Sequence, residues 1–201
     1  MPWRETLQRL NIHLRQLRHP TGLQAGSGSF VRTPFYIPSG DGIVLGTRSR
    51  IGCNATISLI KRYGNQTFNP KILIGDDVYV GTHVYLAATG EINIGDGCVL
   101  SDYVNINDTS HGMDPTAGNI MQQNLVSKGP IRLEPNCFVG YRAAILPGVT
   151  LGRGCVVGIN SVVTKSFPPY CMIAGAPARV IRVFNFDIKS WVWVSTNDSS
   201  S

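Results

Sequence analysis

Aliphatic residues recur every six positions through the last third of the chain: Leu133, Val139, Ile145, Leu151, Val157 and Val163. A period of six is neither the two of a strand nor the 3.6 of a helix. It is the period of a hexapeptide β-helix, in which a short strand and its turn make one side of a prism. The spacing also links Leu45, Ile51 and Ile57, then Ile74, Val80 and Leu86, then Ile94, Leu100 and Ile106. Glycine follows the aliphatic residue at Gly46, Gly52, Gly75, Gly81, Gly95, Gly140, Gly152 and Gly158, where a tight corner is expected. Three positions later stands a small or branched residue, among them Val78, Val84, Cys98, Val104, Ala143, Val149, Cys155 and Ser161. Two inward positions per side fill a narrow core, and the other positions are largely polar.

Three hexads close one turn, so these repeats predict an all-β solenoid of about five coils, stacked at roughly 4.8 Å, over residues 41–182. Two stretches break the period, one from about Tyr63 to Lys71 and one over residues 111–130. A long interruption inside a compact repeat is usually functional, and solenoid insertions collect on a binding face. Residues 1–40 read as a helical or extended segment: Leu7, Leu10, Leu14 and Leu17 alternate with Arg4, Arg9, Arg15 and Arg18 at helical spacing. Such a face suits a cap on the solenoid, with at most peripheral contact to an anionic membrane. Residues 183–201 are expected to form a C-terminal cap over an open edge, followed by a disordered tail from Ser195.

A length of 201 residues fits one domain. The chain has neither a membrane-spanning apolar run nor the pattern of a signal peptide, which makes the cytoplasm the expected location. The net charge of +6 is dispersed and lacks aromatic stacking motifs, which argues against nucleic acid. Five cysteines show no metal or disulfide spacing, and no metal is expected. Cys98, Cys137 and Cys155 share the small inward position, where a thiol acts as a compact hydrophobe; Cys53 and Cys171 fall outside that register.

The run Cys137-Phe-Val-Gly-Tyr-Arg-Ala-Ala-Ile-Leu-Pro-Gly-Val-Thr-Leu-Gly, its continuation from Val157 to Lys165, Pro168-Pro169, and the stretch from Ala174 to Arg182 resemble the hexapeptide acyltransferases. The likeness covers roughly Leu45 to Arg182 and is greatest to the sugar O-acetyltransferases of surface-polysaccharide synthesis. It implies a left-handed coil, a homotrimer with sites between subunits, acetyl-CoA as donor and a small-molecule or glycan hydroxyl as acceptor. The handedness comes from the resemblance alone, because ordinary parallel crossovers are right-handed.

A sugar hydroxyl needs a base to attack a thioester at neutral pH. Of His13, His19, His83 and His111, only His111 closes a coil where the long loop leaves, and the resembling enzymes carry their catalytic histidine there. Asp108 is the first choice to orient it, with Asp114 and Asn105 also near in sequence. The family pattern gives the backbone N–H of Tyr141 the developing negative charge of the acyl oxygen. It also implies that Phe138 walls the acceptor or pantetheine site. Gly140, Gly158 and Ser161 suit a slender pantetheine arm, with Thr164 beside them. Lys165, Arg179 and Arg182 match the family's basic positions for coenzyme A phosphates. Met113, Met121, Gln122, Gln123 and Asn124 could shape an acceptor pocket. Competing readings are acetylation of a hydroxylated antibiotic and a non-catalytic scaffold. An N-acetyltransferase of amino-sugar nucleotides is disfavoured because a separate N-terminal domain is expected there.

Overall fold

The computed structural model describes residues 17–194, so most of the predicted N-terminal helix and the predicted disordered tail lie outside the described residues. The end of that segment, Leu17–Arg18, is not helix but a short strand antiparallel to Phe30–Arg32. Three parallel sheets form the sides of a prism. Each turn of chain lays one strand on each side, and the strand above it is the equivalent strand of the next turn. The first face stacks Gln24–Ala25, Ile43–Leu45, Lys71–Ile74, Glu91–Ile94, Ile131–Leu133 and Thr150–Leu151. The second carries Phe30–Arg32, Arg50–Ile51, Tyr79–Val80, Val99–Leu100, Phe138–Val139, Val156–Val157 and Cys171–Gly175. The third carries Phe35–Tyr36, Ala55–Leu59, Tyr85–Ala88, Asn105–Asn107, Ala144–Ile145 and Val162–Val163.

The hexad aliphatics face inward: Leu45, Ile51, Ile57, Leu86, Ile94, Leu100, Ile106 and Val139 are all buried in one cluster. Truncating such a residue, Leu100→Ala for example, is worth about 2–5 kcal/mol of lost transfer energy and cavity. The smaller inward position differs by face. It is isoleucine on the first face in Ile43, Ile72, Ile92 and Ile131, and small on the second and third.

Glycine after the aliphatic is explained differently from the expectation. The left-handed corner lies two residues beyond it, at Arg48, Asn54, Asp77, His83, Arg142 and Asn160, and likewise at Tyr103 and Asn136 where Ser101 and Glu134 stand in the glycine's place, all with positive φ. The glycine itself sits under the next coil. A Cβ on Gly95 would lie 2.7 Å from Pro135 N and 2.9 Å from Leu133 O, and one on Gly140 would lie 2.7 Å from Val157 O. Close backbone stacking, rather than φ, selects glycine there.

Residues Gln24 to Tyr36, assigned in sequence to the appendage, add a strand to each face below the first recognised coil, so the first and third faces hold six strands. Val31 and Ile37 are buried at the hexad spacing, and Pro38 stands where a glycine would mark it. Cys171 also departs from the expectation. It stacks on Cys155, Sγ to Sγ 3.4 Å, and continues the column of Cys98, Cys137 and Cys155 on the second face. Hydrogen bonds with the neighbouring thiols, Cys155 for both and Cys98 for Cys137, and then burial push the Cys137 and Cys171 thiols up, so they stay neutral. Past Gly175, Ala178–Asn185 and Ser190–Trp193 extend the second-face sheet in antiparallel order.

Aspartates clip the coils at their corners. Thr47 N donates to Asp76 Oδ1 at 2.7 Å, Asp76 N to Asp96 Oδ1 at 2.8 Å, and Thr82 N to Asp102 Oδ1 at 2.7 Å. Arg48 forks onto Asp77, and Lys61 meets Asp41. Hydrogen bonds from Thr47, Arg48 and Lys61 hold Asp76, Asp77 and Asp41 below the ordinary carboxylate value.

Two expectations follow. Gly95→Ala should destabilise the fold by about 1–3 kcal/mol in urea melts, because backbone on both sides must move; an unchanged midpoint would contradict the stacking argument. Carboxylates with lowered pKa stabilise the folded state above their unfolded value and lose that contribution as pH falls. The melting temperature should therefore hold from neutral pH down to about pH 4 and drop below it. A flat profile to pH 3 would remove the clips from the account.

Candidate active site

The long loop opens at the corner between the third and first faces. Its two arms pair as antiparallel strands, Ser110–His111 against Leu125–Val126, with His111 opposite Leu125. Gly112 N donates to Asn124 O at 2.9 Å and Thr109 Oγ1 to Val126 O at 3.1 Å, so the base of the loop is sewn shut. His111 is half-buried at that seam. The first interruption is a hairpin, Arg62–Tyr63 against Gln66–Thr67, and it leans on this loop. The Tyr63 hydroxyl lies 3.2 Å from His111 Nδ1, with the two rings edge to face at 5.3 Å. The same hydroxyl donates to Met121 O. Sequence reading missed Tyr63, which has no periodic signal and stands 48 residues from its partner.

Asp108 does not orient His111. It is fully buried, and its carboxylate accepts from Thr89 N and Gly90 N, both at 2.8 Å, and from Thr89 Oγ1 at 3.2 Å. It caps the coil below, whose turning backbone would otherwise lack acceptors. Asp114 is also committed, accepting from Thr116 N and Oγ1 at 2.7 Å, and no hydrogen bond joins Asn105 to His111. Gln123 spends its amide inside the loop, on Asp114 and Gly118. A cavity of about 520 Å³ nonetheless opens between the hairpin and the loop, lined by Tyr63, Asn65, Met121, Gln122 and Asn124.

Tyr141 lies at a different corner, between the second and third faces. At three equivalent corners an aspartate of the next coil caps the N–H below, Asp76 on Thr47, Asp96 on Asp76 and Asp102 on Thr82. Cys53, Asp96, Asp102 and Arg153 have no such cap among the described residues. Above Tyr141 the matching residue is Ile159, and the Tyr141 N–H has no acceptor among the described residues. Gly140 N and Gly158 N are already bonded, to Val157 O and Ile173 O, so these glycines offer close approach and no free donor. Ser161 is a correction: it is fully buried, facing inward, and its hydroxyl accepts from Gly175 N. It cannot reach a ligand outside the prism.

Phe138 heads a row of outward side chains on the second-face sheet. Strand register places Phe138, Val156, Met172, Arg182 and Trp193 side by side. The Arg182 guanidinium stacks 3.8 Å over Trp193, and its Nε is buried without a hydrogen-bond partner among the described residues. Arg179 is exposed on the same strand, while Thr164 and Lys165 are exposed beyond the last third-face strand. Val156, Met172 and Trp193 were not anticipated; only the strand pairing past Pro169 aligns them.

His111 and Tyr141 therefore belong to corners separated by the width of one face, roughly 20 Å for six residues of extended chain. No single chain brings them into contact.

Residues 130–165 match the family model described as the hexapeptide repeat of succinyl-transferase. WbbJ of Escherichia coli, named for lipopolysaccharide-biosynthesis O-acetyl transfer, is 28% identical over 167 residues, covering 80% of this chain and 82% of that protein. A protein of Mycobacterium tuberculosis named as an acetyltransferase is 34% identical over 119 residues, 59% of this chain but 37% of its own length. Staphylococcal relatives of the same name are matched over 58% of theirs. Among solved structures, AntD of Bacillus cereus, an N-acyltransferase with dTDP and coenzyme A, superposes with a TM-score of 0.69 at 20% identity, over 92% of this chain and 91% of AntD. A maltose O-acetyltransferase of Clostridium difficile gives 0.51 at 25% identity, over 66% and 68%.

Asp108→Ala should cost about 2–4 kcal/mol in chemical denaturation, because two backbone N–H groups and a hydroxyl lose a buried acceptor. Wild-type stability in that variant would contradict the capping role.

Proposed function

We propose that this chain belongs to the hexapeptide-repeat acetyltransferase family, on the strength of its likeness to it, and transfers an acetyl group from acetyl-CoA to a hydroxyl of a sugar or glycan intermediate. The coil is taken to be left-handed and the active unit a homotrimer. The observation that carries the reading is the division of the site. A half-buried imidazole sits at one corner and an uncapped backbone N–H at another. Packing a second copy's corner against the loop would bring a base and an oxyanion donor together, as acyl transfer requires.

His111 then takes the proton from the acceptor hydroxyl as that oxygen attacks the acyl carbonyl. The Tyr141 N–H receives the negative charge that develops on the carbonyl oxygen, and collapse of the intermediate breaks the C–S bond, the departing coenzyme A thiolate taking the proton back from the His111 imidazolium. A backbone donor is indifferent to its own side chain, and the exposed Tyr141 ring narrows the approach of the acceptor. The row on the second-face sheet suits the donor. Phe138, Val156 and Met172 offer an apolar track, and Arg182 lies three strand spacings from Phe138, roughly 14 Å. Its buried, unpartnered Nε is a donor awaiting an anion, which fits a phosphate. Arg179 adds charge on the same strand. Thr164 and Lys165 sit beyond the third face and would serve only a donor that wraps that edge. Coenzyme A, when bound, supplies the activated thioester; no other group is required.

An amine acceptor is the second reading, favoured by the end-to-end fold match to AntD. The tests separate the two. Free coenzyme A release should appear with a sugar or glycan alcohol and fall at least about 1,000-fold in His111→Ala, with acetyl-CoA binding retained. Turnover confined to amino sugars would replace the hydroxyl by an amine, and full activity in His111→Ala would overturn the base. Arg182→Ala should raise KM for acetyl-CoA about tenfold or more with kcat little changed; an unchanged KM would detach the phosphate from that arginine.

A further inference from the structure

The hairpin of residues 62–67 touches the loop at two places, one on each side of the imidazole seam. Gln66 closes an amide clasp on Leu125, the residue opposite His111: its Nε2 donates to Leu125 O at 3.0 Å, and Leu125 N donates to its Oε1 at 2.7 Å. Four residues are thereby held in one frame, with Tyr63 reaching the ring and Gln66 the strand beside it.

The Tyr63 contact has a directional content. A phenol carries one proton, and a carbonyl oxygen only accepts. The Tyr63 hydroxyl donates to Met121 O, so toward His111 it presents a lone pair. Nδ1, 3.2 Å away, must then carry the N–H of that contact. In the neutral ring the remaining lone pair falls on Nε2.

We propose that Tyr63 is a positioning residue that sets the tautomer of His111. It holds the ring as Nδ1–H, leaves Nε2 as the proton-accepting atom, and accepts a stronger hydrogen bond once the ring becomes cationic. The inference rests on His111 being the general base. It replaces the carboxylate that a histidine base commonly uses, and the carboxylates near in sequence are spent: Asp108 on Thr89 and Gly90, Asp114 on Thr116. The hairpin is thus a brace for the base, supplied by an insertion two coils below the loop.

The test reads the ring directly. Histidine side-chain nitrogen NMR, with the His111 signal identified by its loss in His111→Ala, should show Nδ1 protonated and Nε2 bare in the neutral wild-type protein. Tyr63→Phe keeps the ring packing and should move His111 toward the Nε2–H form. Its kcat should fall roughly 10- to 100-fold, the worth of one hydrogen bond to a charged group, with KM for acetyl-CoA unchanged. Gln66→Leu opens the clasp without touching the ring and should leave the wild-type tautomer. Nε2–H in the wild type, or Tyr63→Phe with tautomer and kcat both unaltered, would overturn the proposal. An Nδ1–H ring in a protein whose His111→Ala variant stays fully active would leave the tautomer lock standing and remove the reaction assigned to it.

Discussion

Every feature of this molecule depends on how closely one coil can lie on the next. Parallel strands pair only at about 4.8 Å, and at each corner the backbone of one turn is pressed against that of the turn above. A side chain at the contact point would force the coils apart, which is why Gly95 and Gly140 have no room for a Cβ. Once that spacing is met, the aliphatic columns, the cysteine column and the aspartate clips fall into line without further instruction. The corners also become fixed points in space. The chain places chemistry at two of them.

The same regularity gives exceptions their meaning. Where an aspartate of the next coil caps a corner N–H, as at Thr47, Asp76 and Thr82, nothing further can bind there. Ile159 above Tyr141 supplies no such acceptor, and the donor stays open. Where the strand count would be unbroken, the chain instead leaves the prism twice, and the two excursions meet each other through Tyr63, Gln66, His111 and Leu125. On this reading the solenoid is a ruler, and the site is built from departures at known marks on it.

Much of this was legible in the sequence, because a six-residue period constrains every coil at once. The three-sided prism, the inward residues and the position of His111 at the loop exit all followed from counting. The lowest turn was not legible. Ala25 is small and exposed at the open end, and Pro38 replaces the marker glycine after Ile37. Cys171 was misplaced because Pro168 and Pro169 break the count, although stacking restores the column. Asp108 was misread for a different reason. Nearness in sequence suggested His111, but the unsatisfied backbone of Thr89 and Gly90 one coil below had the stronger claim on a buried carboxylate. Tyr63 had no local signature at all, since its role arises only when two irregular segments fold together.

The central claim is that the base and the oxyanion donor come from different copies of the chain. Two variants test it directly: His111→Ala removes the base, and Tyr141→Pro removes the N–H. Each should be inactive alone. Mixed by co-expression, they should regain about one quarter of wild-type turnover, since a randomly assembled interface holds both intact halves about one time in four. No recovery from mixed oligomers of the two folded variants would place both groups in one chain's site and contradict the account.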